Sequence, residues 1–283
     1  MTDPSDPPRS LGDEVERYYG GGNEVRRLAG ARGQLEVRRT QELALRFLPP
    51  APAVIYDVGG GAGIYAYWLA ALGYTVHLID AMPLHVEQAR AAARDHPGAP
   101  LASIAVGDAR QLAFGDDSAD AVLLFGPLYH LTERADRVAA LAEARRVARP
   151  GGVVLAVAIS RFALLFDGIY RRFLADPDAM PILRQDLASG QHRNPAKRPG
   201  WFTTGYFHHP DELAAEVADA SLRHEATLAV EGPAWQATDL RKRWDDPDLQ
   251  GFVERVLEAL RLVEAEPTLL GASAHLLAVG RKG

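Results

Sequence analysis

The chain contains no cysteine among its 283 residues. That excludes disulfides, thiolate zinc sites, iron–sulfur clusters and a cysteine nucleophile. No apolar run reaches the roughly 18 residues that a membrane span needs, and no membrane association is expected. Positive charge is in short supply: 31 Lys and Arg face 37 Asp and Glu, a formal net charge of −6. Such a chain lacks the phosphate-neutralising surface on which nucleic-acid affinity depends, so no nucleic-acid partner is expected. The basic stretches Lys197-Arg198 and Arg241-Lys242-Arg243 are short and read as solvated surface. There is no internal repeat. Met1 to Arg9 is polar and Pro/Asp-rich without an apolar h-region, so no secretory signal is expected and the cytoplasm is the expected compartment.

What is present is an alternation of short apolar runs with amphipathic stretches. Leu11–Leu48 has helical spacing of Leu28, Leu35, Leu43 and Phe47, interrupted at Gly20-Gly21-Gly22 and ended by Pro49-Pro50-Ala51-Pro52. Strands are predicted at 53–58, 75–79, 101–106, 119–125, 153–159, 223–231 and 272–281, with helices at 64–72, 83–95, 133–148, 161–175 and 210–221. The stretch 177–207 is Pro/Gly-rich and reads as a cover, and 237–266 reads as two helices. Strand–helix alternation of this kind predicts parallel βαβ units: an α/β fold with a doubly wound, mostly parallel, seven-stranded sheet.

The first predicted strand ends in Asp57-Val58-Gly59-Gly60-Gly61-Ala62-Gly63 and leads into a helix. Glycines at such a turn let the backbone approach a ligand, and a helix start favours negative charge. Gly61-x-Gly63-x-x-Ala66 also fits a relaxed dinucleotide fingerprint, with Asp80 placed to hold ribose hydroxyls in either case. Asp57 would repel a pyrophosphate but could accept from a cationic amine. Downstream, Gly107-Asp108-Ala109 follows the third strand, and Arg149-Pro150-Gly151-Gly152 precedes the fifth.

Taken together, these segments resemble the class I methyltransferases that use S-adenosylmethionine, in particular the ubiquinone-methyltransferase-like and small-molecule group. The resemblance covers about residues 50–160. It implies a Rossmann-like methyltransferase fold in which Asp57, Gly59, Gly61 and Gly63 approach the methionine part of the cofactor. Asp80 would bind the ribose, Ala81 and Met82 would flank the adenine, and Asp108 and Ala109 would meet its amine. Gly126 would pass beneath the methionine moiety. Tyr18-Tyr19 could close over the cofactor or anchor a lid, and Arg39 could meet its carboxylate. The expected layout is a disordered tail (1–10), an N-terminal helical lid (11–50), the cofactor-binding core (51–160) and a lid insertion (161–209). The C-terminal part of the sheet (210–283) follows, with a helical insertion at about 235–268.

Methyl transfer from a sulfonium needs mainly an aligned nucleophile in a site shielded from water; a base helps only when the nucleophile carries a proton. His130, just past the fourth strand, is the candidate for substrate contact or base, with a structural histidine as the alternative. Tyr129, Arg161, Trp201, Phe207, His208 and Trp235 are the other candidate substrate residues, each with a packing or salt-bridge alternative. His192, His208, His209 and His224 lack metal-ligand spacing, so no metal is expected. The expected function is methyl transfer to an O, N or C nucleophile of a small-molecule acceptor. The alternatives are an RNA or protein methyltransferase, a non-catalytic cofactor-binding partner protein, and a dinucleotide-dependent oxidoreductase. The sequence leaves room for a homodimer.

Overall fold

The computed structural model describes residues 13–19, 31–198, 201–237 and 250–283. The tail at 1–10, Gly20–Gly22 and the basic run Arg241-Lys242-Arg243 lie outside them. Two helices, α1 (Asp13–Tyr19) and α2 (Ala31–Phe47), precede β1 (Val54–Val58) and α3 (Ile64–Ala71). Next come β2 (Thr75–Asp80), α4 (Pro83–Ala92), β3 (Ser103–Val106) and β4 (Ala119–Leu124). The short helix α5 (Pro127–His130), then α6 (Arg134–Val147), lead to β5 (Ala148–Ser160). Beyond β5 lie α7 (Ala163–Tyr170), α8 (Ala179–Ser189), β6 (Gln191–His192) and β7 (Gly205–His208). The chain then forms α9 (Pro210–Asp219), β8 (Arg223–Ala229), α10 (Gln250–Val263), α11 (Pro267–Leu270) and β9 (His275–Arg281).

The sheet runs β3-β2-β1-β4-β5 in parallel, with β9 antiparallel between β5 and β8. These are the seven strands expected, and the hairpin β6-β7 extends the sheet to nine. Because β9 pairs along Val153–Ile159 of β5, the parallel pairing of β7 with Ile159 and Ser160 must use the other edge, just past the end of β4. The hairpin therefore sits over α5.

Both faces of the sheet are covered, which is why its strands read as continuous apolar runs. Within β1, Tyr56 and Val58 join Val122, Leu124, Leu141 and Leu213 on the α6/α9 side. Ile55 faces the opposite layer with Leu43, Leu69, Leu78 and Leu123. This period-two alternation puts Asp57 on the α2/α3 face, where only apolar residues would be expected. The fifth strand is longer than predicted because the Arg149–Gly152 segment joins it through an irregular register. A side chain at Gly152 would sit 2.8 Å from the Arg149 carbonyl.

The lid is more structured than its composition suggests. Helix α8 falls inside the stretch predicted to be an irregular cover, and Arg161–Ala175 divides into α7 and a 3-10 turn at Phe173–Ala175. A separate cluster of Leu35, Trp235, Val253, Leu257 and Leu260 fastens α2 to α10.

Candidate active site

After β1 the chain turns to β2 and β3 on one side, and later crosses to β4 and β5 on the other. The crevice between the ends of β1 and β4 is thus the topological switch point, where open α/β sheets bind ligands. Two glycine turns meet there. Gly59 has φ +76°, and a Cβ on it would lie 2.6 Å from Cδ of Pro127. A Cβ on Gly126 would lie 3.1 Å from the Gly59 carbonyl. Gly63, at φ +92°, starts α3 without a side-chain cap, leaving first-turn N–H groups for a ligand.

A cavity of about 130 Å³ occupies this crevice. Gly59, Gly61, Asp80, Ala81 and Met82 line one side; Asp108, Ala109, Gly126, Tyr129 and His130 line the other; and Tyr19 covers it. Eleven residues singled out in the sequence are thereby brought together around one space. Asp80, nearly buried, is held by its neighbours: Gly61 N and Met82 N each donate to it at 2.8 Å, and His85 Nδ1 donates at 3.1 Å. His85 was not singled out in the sequence, although a start of α4 at Pro83 places it on the first turn facing Asp80. Asp108 is gripped by Arg110, whose Nη2 and backbone N donate at 2.7 and 2.8 Å. Any adenine amine would compete with that guanidinium.

Asp57 lies behind the glycine turn rather than on the cavity wall. It is fully buried, and neither carboxylate oxygen has a hydrogen-bond partner of good geometry. Burial and, to a lesser degree, the nearby charge of Asp80 push its pKa up to about 7, against an opposing pull from the Ala66 amide. Such a group responds to any cation placed beside the turn.

His130 shares a 2.8 Å hydrogen bond with the Tyr19 hydroxyl through Nε2. Burial pulls its pKa down to about 4, with Asp80 opposing and His85 reinforcing the shift. At neutral pH the ring is therefore uncharged, and its hydrogen bond to Tyr19 holds it in the wall of the cavity. Tyr19 packs edge-on against both His130 and His85, and with Val15 it covers Met82.

Three expected site residues are elsewhere. Arg39, expected to meet a cofactor carboxylate, does not line the cavity. It is fully buried, donates to the Val230 carbonyl at 3.0 Å and to Glu264 at 2.5 Å, and locks α2 to the C-terminal half. Arg161 does not line the cavity: it donates to the Phe207 carbonyl at 2.7 Å and to Glu212 at 2.5 Å, pinning the lid to α9. His208 is buried against Glu216 at 3.2 Å, and Glu216 in turn accepts from Arg137 at 2.7 Å. Burial holds its pKa low, so it too serves as a neutral structural donor.

The remaining three, Trp201, Phe207 and Trp235, line a second cavity of about 220 Å³ under the lid. Phe202 stands between the two spaces. Its ring stacks on His130 with centroids 5.7 Å apart and contacts Tyr18 and Phe207. Glu36 borders both cavities. The second cavity also holds Glu231 and His275, which sequence reading missed because residues 36, 231 and 275 share no local pattern. Their ligand atoms lie within 4.8 Å of one another. Arg198, expected at the surface, is paired with Asp176 and Asp178.

Comparison with known proteins agrees with this geometry. Residues 56–156 match the family described as a methyltransferase domain. The chain is 35% identical over 120 residues to a malonyl-[acyl-carrier protein] O-methyltransferase of Methylococcus capsulatus, covering 42% of each chain. It is 33% identical over 150 residues to the ubiquinone/menaquinone biosynthesis C-methyltransferase UbiE of Acidiphilium cryptum, covering 51% of this chain and 59% of that one. The chain thus spans between about four and six tenths of the length of these relatives. Among solved structures, the cyclase SpnF aligns over 98% of both chains with a TM-score of 0.59 at 16% identity. That likeness concerns the fold alone.

Proposed function

We propose that this chain, whose residues 56–156 match the family described as a methyltransferase domain, transfers a methyl group from S-adenosylmethionine to a small-molecule acceptor in the cytoplasm. The observation that carries the reading is the meeting of the glycine turns of β1 and β4 around a cavity lined by Asp80. The bound cofactor supplies a sulfonium methyl carbon with a neutral leaving group. Asp80 would hold the ribose hydroxyls, its carboxylate kept in place by the Gly61 and Met82 amides. The α3 start would meet the carboxylate of the methionine part, and Asp57, behind the turn, would offset its ammonium. Met82 and Ala81 would flank the adenine. Tyr19 and His130 would close the space and exclude water.

The acceptor would occupy the second cavity, across Phe202. Its modest size and its cover of lid residues favour an enclosed small molecule over a polymer, which supports this reading over RNA or protein methylation. The fold does not assign the chemistry by itself, because a cyclase shares it.

Calorimetric titration with S-adenosylmethionine, S-adenosylhomocysteine and NAD tests the proposal. Micromolar binding of the first two without the third is expected, with Asp80→Ala weakening both at least tenfold. An unchanged dissociation constant in the variant, or binding of NAD alone, overturns it.

A further inference from the structure

The second cavity carries an arrangement that none of the cofactor motifs explains. Glu231 is buried and accepts from three groups: Ser273 Oγ and His275 N at 3.0 Å each, and His275 Nδ1 at 2.6 Å. Glu36 approaches the same imidazole from α2, with Oε2 4.0 Å from Nδ1. Two carboxylates from opposite ends of the chain thus converge on one ring, and all three residues face the cavity. The remaining charged lining residues are Asp167 and Arg171, which pair with each other at 3.1 Å. Among the described residues, three carboxylates thus stand against one guanidinium in this lining.

The same cavity is rich in aromatic lining: Tyr18, Trp201, Phe202, Phe207 and Trp235. Aromatic faces attract cations and give nothing to anions, and a low-dielectric enclosure strengthens the preference. A carboxylate or phenolate acceptor would be repelled by the same groups. His275 Nδ1 cannot ligate a metal ion while it holds its hydrogen bond to Glu231.

Resting on the methyltransferase reading above, we infer that the methyl acceptor is an amine carried on an apolar skeleton and bound as its ammonium, with Glu36 holding the charge and the aromatic walls the remainder. A carboxylate accepts up to about four hydrogen bonds, so Glu36 can take the ammonium alongside its protein partners. Transfer then balances simply. One ammonium proton passes to the Glu36 carboxylate and from it to solvent. The freed nitrogen lone pair bonds to the methyl carbon, and the carbon–sulfur electrons depart with sulfur. The net products are the methylated ammonium, S-adenosylhomocysteine and one proton.

The test is a fluorescence titration of the full chain saturated with S-adenosylhomocysteine, using two of its four tryptophans, Trp201 and Trp235, as reporters in the cavity wall. The probes are benzylamine, benzyl alcohol and benzoate, which share a skeleton and differ in charge. Benzylamine is expected to bind at least tenfold more tightly than the alcohol, with benzoate weakest. Glu36→Gln should shrink the preference for benzylamine over the alcohol to threefold or less, with circular dichroism checking the fold. Equal binding, a reversed order, a preference that survives Glu36→Gln, or no response to any probe overturns the inference. Calorimetry of S-adenosylhomocysteine on the same sample separates the two levels: if it binds and the ammonium does not, only the acceptor class falls.

Discussion

Asp57 shows how a residue that destabilises the fold can serve a site. Its folded pKa of about 7 lies above the value of 3.8 for an unperturbed aspartate, so the native state holds the extra proton between about pH 4 and 7. Stability attributable to this group is therefore present at low pH and lost as pH rises through 7. Asp57→Asn, which keeps the shape and removes the charge, is expected to raise stability at pH 8 by about 1–3 kcal/mol, as read by urea denaturation. The same variant should bind S-adenosylmethionine at least tenfold more weakly; a loss of stability would refute the argument. His130 runs the other way in its protonation. Its folded pKa of about 4 lies below the ordinary 6.5, so the unfolded chain binds the extra proton and stability falls as pH drops from 6.5 toward 4. Ring resonances of His130 should titrate near pH 4 by NMR, and a midpoint above 6 would restore it as a general base. At this scale the glycines and Asp80 were legible because they act through near neighbours in the chain. Arg39, Arg161 and His208 were not, because each is defined by a partner on another element: Arg39 meets Glu264, Arg161 meets Glu212, and His208 meets Glu216.

Among the elements, α1 reaches the crevice cavity through Tyr19. One turn of its apolar face, Val15 with Tyr18 and Tyr19, rests on Met82, and a single hydroxyl ties it to His130. Tyr19→Phe removes that hydrogen bond and keeps the ring, at a cost of about 1 kcal/mol. Stopped-flow measurement should find S-adenosylhomocysteine leaving about fivefold faster, and an unchanged rate would mean that α1 does not gate release. Helix α8 shows why composition misleads. Pro181 reads as a breaker, yet it stands in the first turn, where the missing N–H has no helical partner to lose. Gly190, at φ +73°, then ends the helix in the left-handed conformation. The Pro/Gly content that suggested an irregular cover thus marks the two ends of a helix. The two-residue strand β6 offered no periodicity to read at all.

Across the whole molecule, buried ion pairs join layers that the sheet alone does not connect. Arg137 on α6 donates to both oxygens of Glu216 on α9 and to the carbonyls of Leu131 and Thr132, and its guanidinium lies 3.5 Å from the centre of the Tyr206 ring. Breaking such a pair strands a buried charge, so Glu216→Gln is expected to cost about 3–5 kcal/mol by chemical denaturation. The double change Arg137→Met with Glu216→Leu should recover most of that loss; a double variant as unstable as the single would show that the network is needed for its shape and not for charge balance. The strands themselves were readable at this scale because buried parallel strands must be apolar throughout, whereas the cross-layer pairs depend on side chains dozens of residues apart.

The position of β9 has a consequence for how the molecule is made. The strand at His275–Arg281 follows every other described strand in sequence, yet it lies inside the sheet, bonded to β5 on one edge and β8 on the other. While the ribosome is still adding the preceding segments, β1 to β4 can pair, but the outer edge of β5 has no neighbour and β8 has nothing to join. A nascent chain therefore presents an unfinished, apolar sheet edge until β9 emerges from the exit tunnel, the interval in which a chaperone would be most useful to it.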